Sequence, residues 1–220
     1  MMKIILLTLF SVATLATTAQ LPKSVNANDF VLECMKSGGV LPHKQMVLWI
    51  PADFWNIIGE QMKISPEVIT NLVTEMNKYM MFCVMDYSLV NQQLVFRTAD
   101  EIRPSLKLID SAKMIYMPLA DKDISPSALL LITQFQPALA KILGQIGDGM
   151  RLFLFDARNE NGIPSFDETK PNHFILTWDQ ISFTWRLPFA SVLPARYCPV
   201  DNEPMKGNWN YCPFHGVRLP

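Results

Sequence analysis

The sequence predicts an α+β fold, with a mixed, mainly antiparallel sheet, two or three helices on one face and a small C-terminal hairpin. Half of the 220 residues are hydrophobic and only 18% are charged, which is enough apolar material for one real core. Short apolar runs typical of strands occur both singly and in hairpin pairs. Two longer helical stretches, each opening at a Ser-Pro step, separate these runs.

The first residues have the pattern of a secretory signal peptide. Lys3 is followed by an apolar run over 4–16 and by small residues that end at Ala19. The apolar run is shorter than the roughly 20 residues that span a membrane. We therefore expect a signal peptide over 1–19 and a periplasmic or secreted protein with no transmembrane segment after cleavage. An uncleaved N-terminal anchor is the alternative.

The first elements of the main domain follow a lead-in over 20–44. Residues 45–51 (QMVLWIP) form a short apolar run stopped by proline, which predicts a buried strand. Asp53 is placed to cap a short helix. Ser65 and Pro66 predict a stronger helix start, with serine as the N-cap and proline in the first turn, followed by an amphipathic pattern.

The middle of the chain predicts strands. Residues 80–90 and 93–98 are apolar runs separated by a short segment that contains Asn91, which favours a hairpin. Residues 113–119 form a shorter strand candidate.

A second Ser-Pro step begins a long apolar helix. Ser125 and Pro126 open it, and the apolar pattern continues to about Ile146. Pro137 lies inside this stretch and is expected to kink or split the helix, because proline lacks the backbone N–H that the helix needs.

The last part of the main domain predicts more strands. Residues 150–157 form an apolar run, and 173–188 alternate as a second hairpin that turns at Asp179. The α+β domain would therefore cover 20–195, and a separate tail would cover 196–220.

The tail contains two similar turns with metal-ligand chemistry. Cys198 is followed by Pro, Val and Asp201, and after ten further residues Cys212 is followed by Pro, Phe and His215. A structural zinc ion takes four ligands in a tetrahedron, and Cys, His and Asp are all suitable ligands. The spacing therefore predicts a site for one structural zinc ion at Cys198, Asp201, Cys212 and His215.

This tail resembles a zinc ribbon over 197–219. That family repeats a Cys-Pro-x-Cys-Gly turn twice, and here the second turn keeps the preceding Tyr211 and the closing Gly216. The resemblance implies a structural metal site and says nothing about the main domain. Asp201 and His215 stand where the family has cysteines, so weaker zinc binding is expected, because carboxylate is a harder ligand than thiolate.

A disulfide is the competing interpretation of the same cysteines. An exported protein meets an oxidising compartment, and a Cys198–Cys212 bond would close a 15-residue segment. Cys34 and Cys83 are the other two thiols. They could pair with each other, or Cys83 could remain a buried free thiol inside its strand.

Three predicted strands end in aspartate. These residues are Asp86, Asp156 and Asp179. If the strand ends converge, the carboxylates would form a cluster suited to metal binding or acid–base chemistry. The alternative is a turn role, because aspartate commonly follows a strand and bonds to the backbone two residues on.

The sequence favours a non-catalytic binding or interaction domain with a protein partner. The net charge of −1 gives no basic excess, which argues against nucleic acid as a partner. A periplasmic metal-dependent hydrolase that uses the strand-end carboxylates is one alternative. A small-molecule or lipid carrier is another, and it requires a large apolar cavity between helices and sheet.

Overall fold

The computed structural model describes residues 25–59, 63–156, 158 and 166–220. The expected signal peptide over 1–19 lies outside these ranges. The α-helices are α1 (Ala27–Cys34), α2 (Phe54–Ile58), α3 (Pro66–Met76), α4 (Ala99–Ile102) and α5 (Pro126–Ile142). The first strands are β1 (Met35–Gly38), β2 (His43–Ile50), β3 (Met80–Val90), β4 (Gln93–Phe96), β5 (Lys107–Ile109) and β6 (Ile115–Tyr116). The remaining strands are β7 (Met150–Phe155), β8 (Asn172–Trp178), β9 (Ile181–Leu187), β10 (Arg196–Tyr197) and β11 (Pro204–Met205).

The strands of the main domain form two sheets. Sheet A has the order β1-β2-β3-β4, with β7 also paired to β3, and sheet B has the order β6-β5-β8-β9. Neighbouring strands are antiparallel in every pair that the structure describes. The predicted α+β class and antiparallel pairing are thus confirmed, and the strands divide between two layers.

The long strand β3 organises sheet A. It pairs with β2 along one edge, and on its other edge it pairs first with β7 through Met80–Met85 and then with β4 through Tyr87–Val90. Its residues are buried from Met80 to Asp86 because both faces of the sheet are covered. One face therefore meets sheet B and the other meets the helices.

Aromatic side chains fill the space between the two sheets. The rings of Trp49 and Phe82 from sheet A contact the Phe174 ring from sheet B at centroid distances of 4.8 and 6.1 Å. Phe82 also contacts Trp185 at 5.7 Å. Large buried aromatic groups dominate the energetics of a core, and most of these pairs are tilted or edge-on, as ring quadrupoles prefer.

The helices α1, α3 and α5 lie over the opposite face of sheet A. The Ser65 hydroxyl accepts a hydrogen bond from the Val68 N–H, and the Ser125 hydroxyl accepts one from Ala128, so both Ser-Pro starts are confirmed. Helix α5 continues through Pro137 as one helix instead of splitting there. Proline removes one backbone hydrogen bond from the helix, and Ala128 and Leu139 on either side of it are buried in the core.

Two hairpin turns match their predicted positions. Asn91 and Gln92 link β3 to β4 with φ angles of 49° and 66°. Two successive positive φ angles are the geometry of a two-residue hairpin turn with the same twist as its strands. Asp179 and Gln180 link β8 to β9, and of these two residues Asp179 has a positive φ angle, 52°.

The lead-in contains regular structure that the sequence did not indicate. Helix α1 begins after Asn26, whose side chain accepts hydrogen bonds from two backbone N–H groups, and β1 follows directly. The helix has only eight residues, too few for a clear periodic pattern. The strand expected over 113–119 is also shorter, because only Ile115–Tyr116 pair with β5.

The tail has a small apolar cluster of its own. Its buried members are Cys198, Met205, Cys212 and Leu219, and Trp209 packs against them. In the described ranges, no helix is long and apolar enough to cross a membrane.

Candidate metal centre

The tail contains two knuckles with the same backbone geometry. In the first knuckle (residues 198–202), the Asn202 N–H donates to the Cys198 carbonyl at 2.8 Å. In the second knuckle (residues 212–216), the Gly216 N–H donates to the Cys212 carbonyl at the same distance. Each cysteine N–H in turn donates to the carbonyl five residues later, so each knuckle closes a small loop.

The last residue of each knuckle has a left-handed backbone. The φ angle is 60° at Asn202 and 66° at Gly216. Glycine adopts this conformation without steric cost, and asparagine tolerates it better than most other residues. Asn202 can therefore replace the glycine of the usual Cys-Pro turn while the turn keeps its shape.

The two knuckles bring two thiols and one imidazole together. The Nδ1 atom of His215 lies 3.4 Å from the Cys198 Sγ atom and 3.5 Å from the Cys212 Sγ atom. All three atoms lie within 4.8 Å of one another. This arrangement could hold a metal ion, because the sulfur and nitrogen ligands of a tetrahedral zinc are about 3.6 Å apart when bond lengths are about 2.3 and 2.05 Å.

Asp201, the fourth ligand expected from the sequence, lies beside this group but is not among the atoms that are within 4.8 Å of one another. Its Oδ2 atom is 3.8 Å from the Nδ1 atom of His215. Its other oxygen, Oδ1, accepts a hydrogen bond from the Glu203 N–H at 3.1 Å. The backbone bond fixes the carboxylate and leaves Oδ2 directed toward the imidazole.

Nearby backbone N–H groups influence the thiols. Burial raises the pKa of Cys212, but hydrogen bonds from the His215 and Phe214 backbone outweigh that effect, so the pKa lies below its usual value. Burial also raises the pKa of Cys198, and hydrogen bonds with the Asp201 and Cys212 side chains raise it further, so it lies above the usual value. At Asp201, the Glu203 N–H holds the carboxyl pKa below its ordinary range.

The four cysteines are free thiols in this structure. Cys198 and Cys212 lie close enough to ligate one ion and are not bonded to each other. Cys34 and Cys83 are each buried in the main domain without a disulfide, and burial raises the pKa of both thiols well above the usual value. A thiol held in the neutral form is a poor nucleophile.

Asp86 is the best-connected carboxylate of the main domain. Its side chain is fully buried, and its Oδ1 atom lies 2.6 Å from the Nε2 atom of His43. Its Oδ2 atom accepts hydrogen bonds from Gln45, Trp178 and Arg97 at 3.0 to 3.1 Å. Burial alone would raise the pKa of Asp86, but its hydrogen bonds outweigh burial and the pKa lies below the usual value.

The strand-end carboxylates do not form one cluster. Asp179 shares the Arg97 guanidinium with Asp86, and its Oδ2 atom lies 2.5 Å from the Arg97 nitrogen. Asp156 instead pairs with Arg158 at 2.7 Å. It follows β7 where that strand pairs with Met80, about 20 Å along β3 from Asp86 at the usual rise per residue.

The partners of Asp86 were not singled out by the sequence. Trp178 lies 92 positions away and His43 lies 43 positions away, and no local motif connects them. Gln45 is a buried polar residue among the buried apolar residues of β2. A polar residue at such a position needs a polar partner, and this was the one hint of the network in the sequence. The network ties sheet A to sheet B.

A large cavity lies between the helices and sheet A. Its volume is about 650 Å³. Leu48 and Cys83 form part of its floor, while Val31 and Leu139 form part of its walls. Asn28 is the polar side chain among its described lining residues. This is the position at which the carrier interpretation requires a cavity.

Comparison with known proteins supplies no relative, because no family model, curated protein or solved structure matches the chain.

Proposed function

We propose that this is an exported, non-catalytic binding protein whose C-terminal tail is held together by one structural zinc ion. The zinc assignment rests on the spacing of three ligand atoms. The Nδ1 atom of His215 lies 3.4 Å from the Sγ atom of Cys198 and 3.5 Å from the Sγ atom of Cys212. These two distances match the edges of a tetrahedral zinc site to within about 0.2 Å.

The Asp201 carboxylate supplies the fourth ligand in this proposal. Its Oδ2 atom lies 3.8 Å from the His215 nitrogen, compared with about 3.4 Å for a tetrahedral oxygen–nitrogen edge. The carboxylate lies outside the group whose ligand atoms are within 4.8 Å of one another, so it has to move toward the thiols to complete the shell. Two thiolates, one carboxylate and a neutral imidazole around Zn²⁺ give a net charge of −1, which a site at the protein surface tolerates.

A structural role fits the composition of the tail. Its apolar cluster has few buried members, among them Met205 and Leu219. So small a cluster cannot stabilise a separate unit, and short units of this kind commonly depend on a metal or a disulfide. With four protein ligands the metal has no open position for a substrate, which is the mark of a structural site.

The strand-end carboxylates are poorly placed for a metal-dependent hydrolase. The Asp86 carboxylate is already surrounded by four donors, and an arginine neutralises its charge. Asp156 is engaged by Arg158 at the other end of β3. A metal at the strand ends would have to displace these partners.

The zinc assignment is tested by native mass spectrometry of the mature chain, residues 20–220. The proposal predicts a mass gain of one zinc ion that a chelator removes, with all thiols still reactive after denaturation. A mass two hydrogens lower that a reductant restores, without metal, would replace the zinc assignment with a Cys198–Cys212 disulfide.

A further inference from the structure

The cavity beneath α1 and α5 has the composition of a site for an aliphatic molecule. Its floor is the helix-facing side of sheet A, which contributes Leu48, Ile50 and Met150. Among the described residues, none that lines it is charged. A volume of about 650 Å³ falls within the range of small-molecule sites, which is roughly 300–1,000 Å³.

Water is a poor occupant of this space. The space is large enough for many waters, and its lining is mostly aliphatic. Buried water is stable where it makes two to four hydrogen bonds to the protein, and aliphatic side chains offer none. Release of that water by an apolar ligand is therefore favourable.

The rim of the cavity provides one polar contact. Asn28 lies on α1 with its side chain exposed, next to Leu32, which is 68% exposed. In the described part of the chain, no residue hydrogen-bonds to the Asn28 side-chain amide. An amide can donate to and accept from an uncharged hydroxyl or carbonyl. It does not neutralise a carboxylate as a lysine or arginine would.

We propose that this cavity binds a single-chain aliphatic molecule with an uncharged polar head, the chain on the floor of sheet A and the head beside Asn28. The inference rests on the proposed binding role and does not depend on the zinc, because every lining residue lies between 28 and 150.

The direct test is calorimetric titration of the zinc-loaded protein with 1-hexanol, 1-octanol and 1-decanol, and with the carboxylates of the same lengths. The proposal predicts one site per chain and an affinity that rises about fourfold for each added methylene. It also predicts that each alcohol binds at least as tightly as its carboxylate. Absence of saturable binding would overturn the site, and a tenfold preference for the carboxylates would overturn the uncharged head group.

Matched substitutions locate the site. Val31→Trp fills the cavity from α1, whereas Val68→Trp places the same side chain on the exposed part of α3. The first should weaken 1-decanol binding at least tenfold and the second should leave it unchanged. Equal affinities in the two variants would contradict the assignment.

A second pair of substitutions, at Leu130 in α5 and at Leu143 directly after it, provides an independent test in case Val31→Trp does not fold. Leu143→Trp enters the cavity, and Leu130→Trp, at a side chain that is 59% exposed, does not. Circular dichroism checks that each variant is folded. Zinc content, measured on the same samples, should stay at one ion per chain in all four variants, so loss of ligand binding and loss of zinc are distinguished.

Discussion

The Nδ1 atom of His215 lies 3.4 Å from the Sγ atom of Cys198, although the two residues are 17 positions apart in the chain. Each residue belongs to a different knuckle, so the contact joins the two halves of the tail. A neutral imidazole and a thiol gain little from this proximity by themselves. A shared zinc ion would make the contact strongly favourable, because ligand binding and folding of the tail would be coupled.

Loss of one thiolate ligand should release the metal and unfold the tail alone. Cys212→Ser is expected to lose stoichiometric zinc, because a serine hydroxyl is a far poorer zinc ligand than a thiolate. Hydrogen exchange should then become fast over 196–220 and remain slow in β3. Cys83→Ser, which changes a thiol outside the tail, serves as the control and should retain one zinc ion. Unchanged zinc content in Cys212→Ser would rule out the proposed ligand set.

The identity of the fourth ligand can be tested with neighbouring acidic residues. Asp201→Asn removes the anionic oxygen and should weaken zinc binding at least tenfold in competition with a chromogenic chelator. Glu203→Gln removes a charge two residues away and should change the affinity less than twofold. Asp201→Cys should tighten binding, because a thiolate is a softer ligand for zinc. Equal affinities in Asp201→Asn and Glu203→Gln would exclude the carboxylate as a ligand.

The buried carboxylate between the sheets should matter for stability. Asp86 accepts four hydrogen bonds through its carboxylate. In Asp86→Asn, the amide NH₂ group would face N–H donors of the neighbouring side chains and could not accept their hydrogen bonds. We expect a loss of about 3 kcal/mol or more in the free energy of unfolding. Asp156→Asn, at an exposed ion pair, should cost less than about 1 kcal/mol. Urea denaturation of both variants measures the difference, and similar losses would contradict the role assigned to Asp86.

Glu168 should make the protein less stable as the pH rises. It is 5% exposed, its Oε1 atom has no hydrogen-bond partner among the described residues, and burial raises its pKa to about 7. Between the unfolded pKa near 4.5 and this value, the folded state keeps a proton that the unfolded state releases. The stability that this proton provides is complete below pH 4.5 and is lost by about pH 7, a difference of about 3 kcal/mol.

The substitution Glu168→Gln should remove this part of the pH dependence. We expect the variant to be more stable than the wild type at pH 7.5 and to differ less from it at pH 5. Thermal unfolding at the two pH values provides the comparison, with Glu203→Gln as a control at an exposed glutamate. A variant that is equally destabilised at both pH values would show that Glu168 is not held as a neutral acid.

In the tail, the sequence anticipated the approach of Cys198, Cys212 and His215, whose ligand atoms lie within 4.8 Å of one another. The geometry of the tail depends on local backbone turns, and the Cys-Pro steps together with Gly216 specify those turns directly. Asn202 fits because asparagine tolerates a positive φ angle. The predicted approach of these side chains therefore required only the spacing of residues within each knuckle and the assumption that the two knuckles face each other.

Features that depend on distant residues were not predictable in the same way. Asp86 was recognised as a candidate, but its partners His43 and Trp178 come from other strands, and their approach depends on the packing of the two sheets. The short helix α1 lacked a periodic signal. The division of the strands into two sheets depends on which strands pair and which faces pack together. The residue pattern of a single strand does not contain this information.

The central claim is that the tail is closed by zinc, and native mass spectrometry of the mature protein tests it most directly. The predicted spectrum shows one zinc ion per chain, its loss on addition of chelator, and no mass change on addition of reductant. A chain without metal, two hydrogens lighter and restored by reductant, would contradict the account.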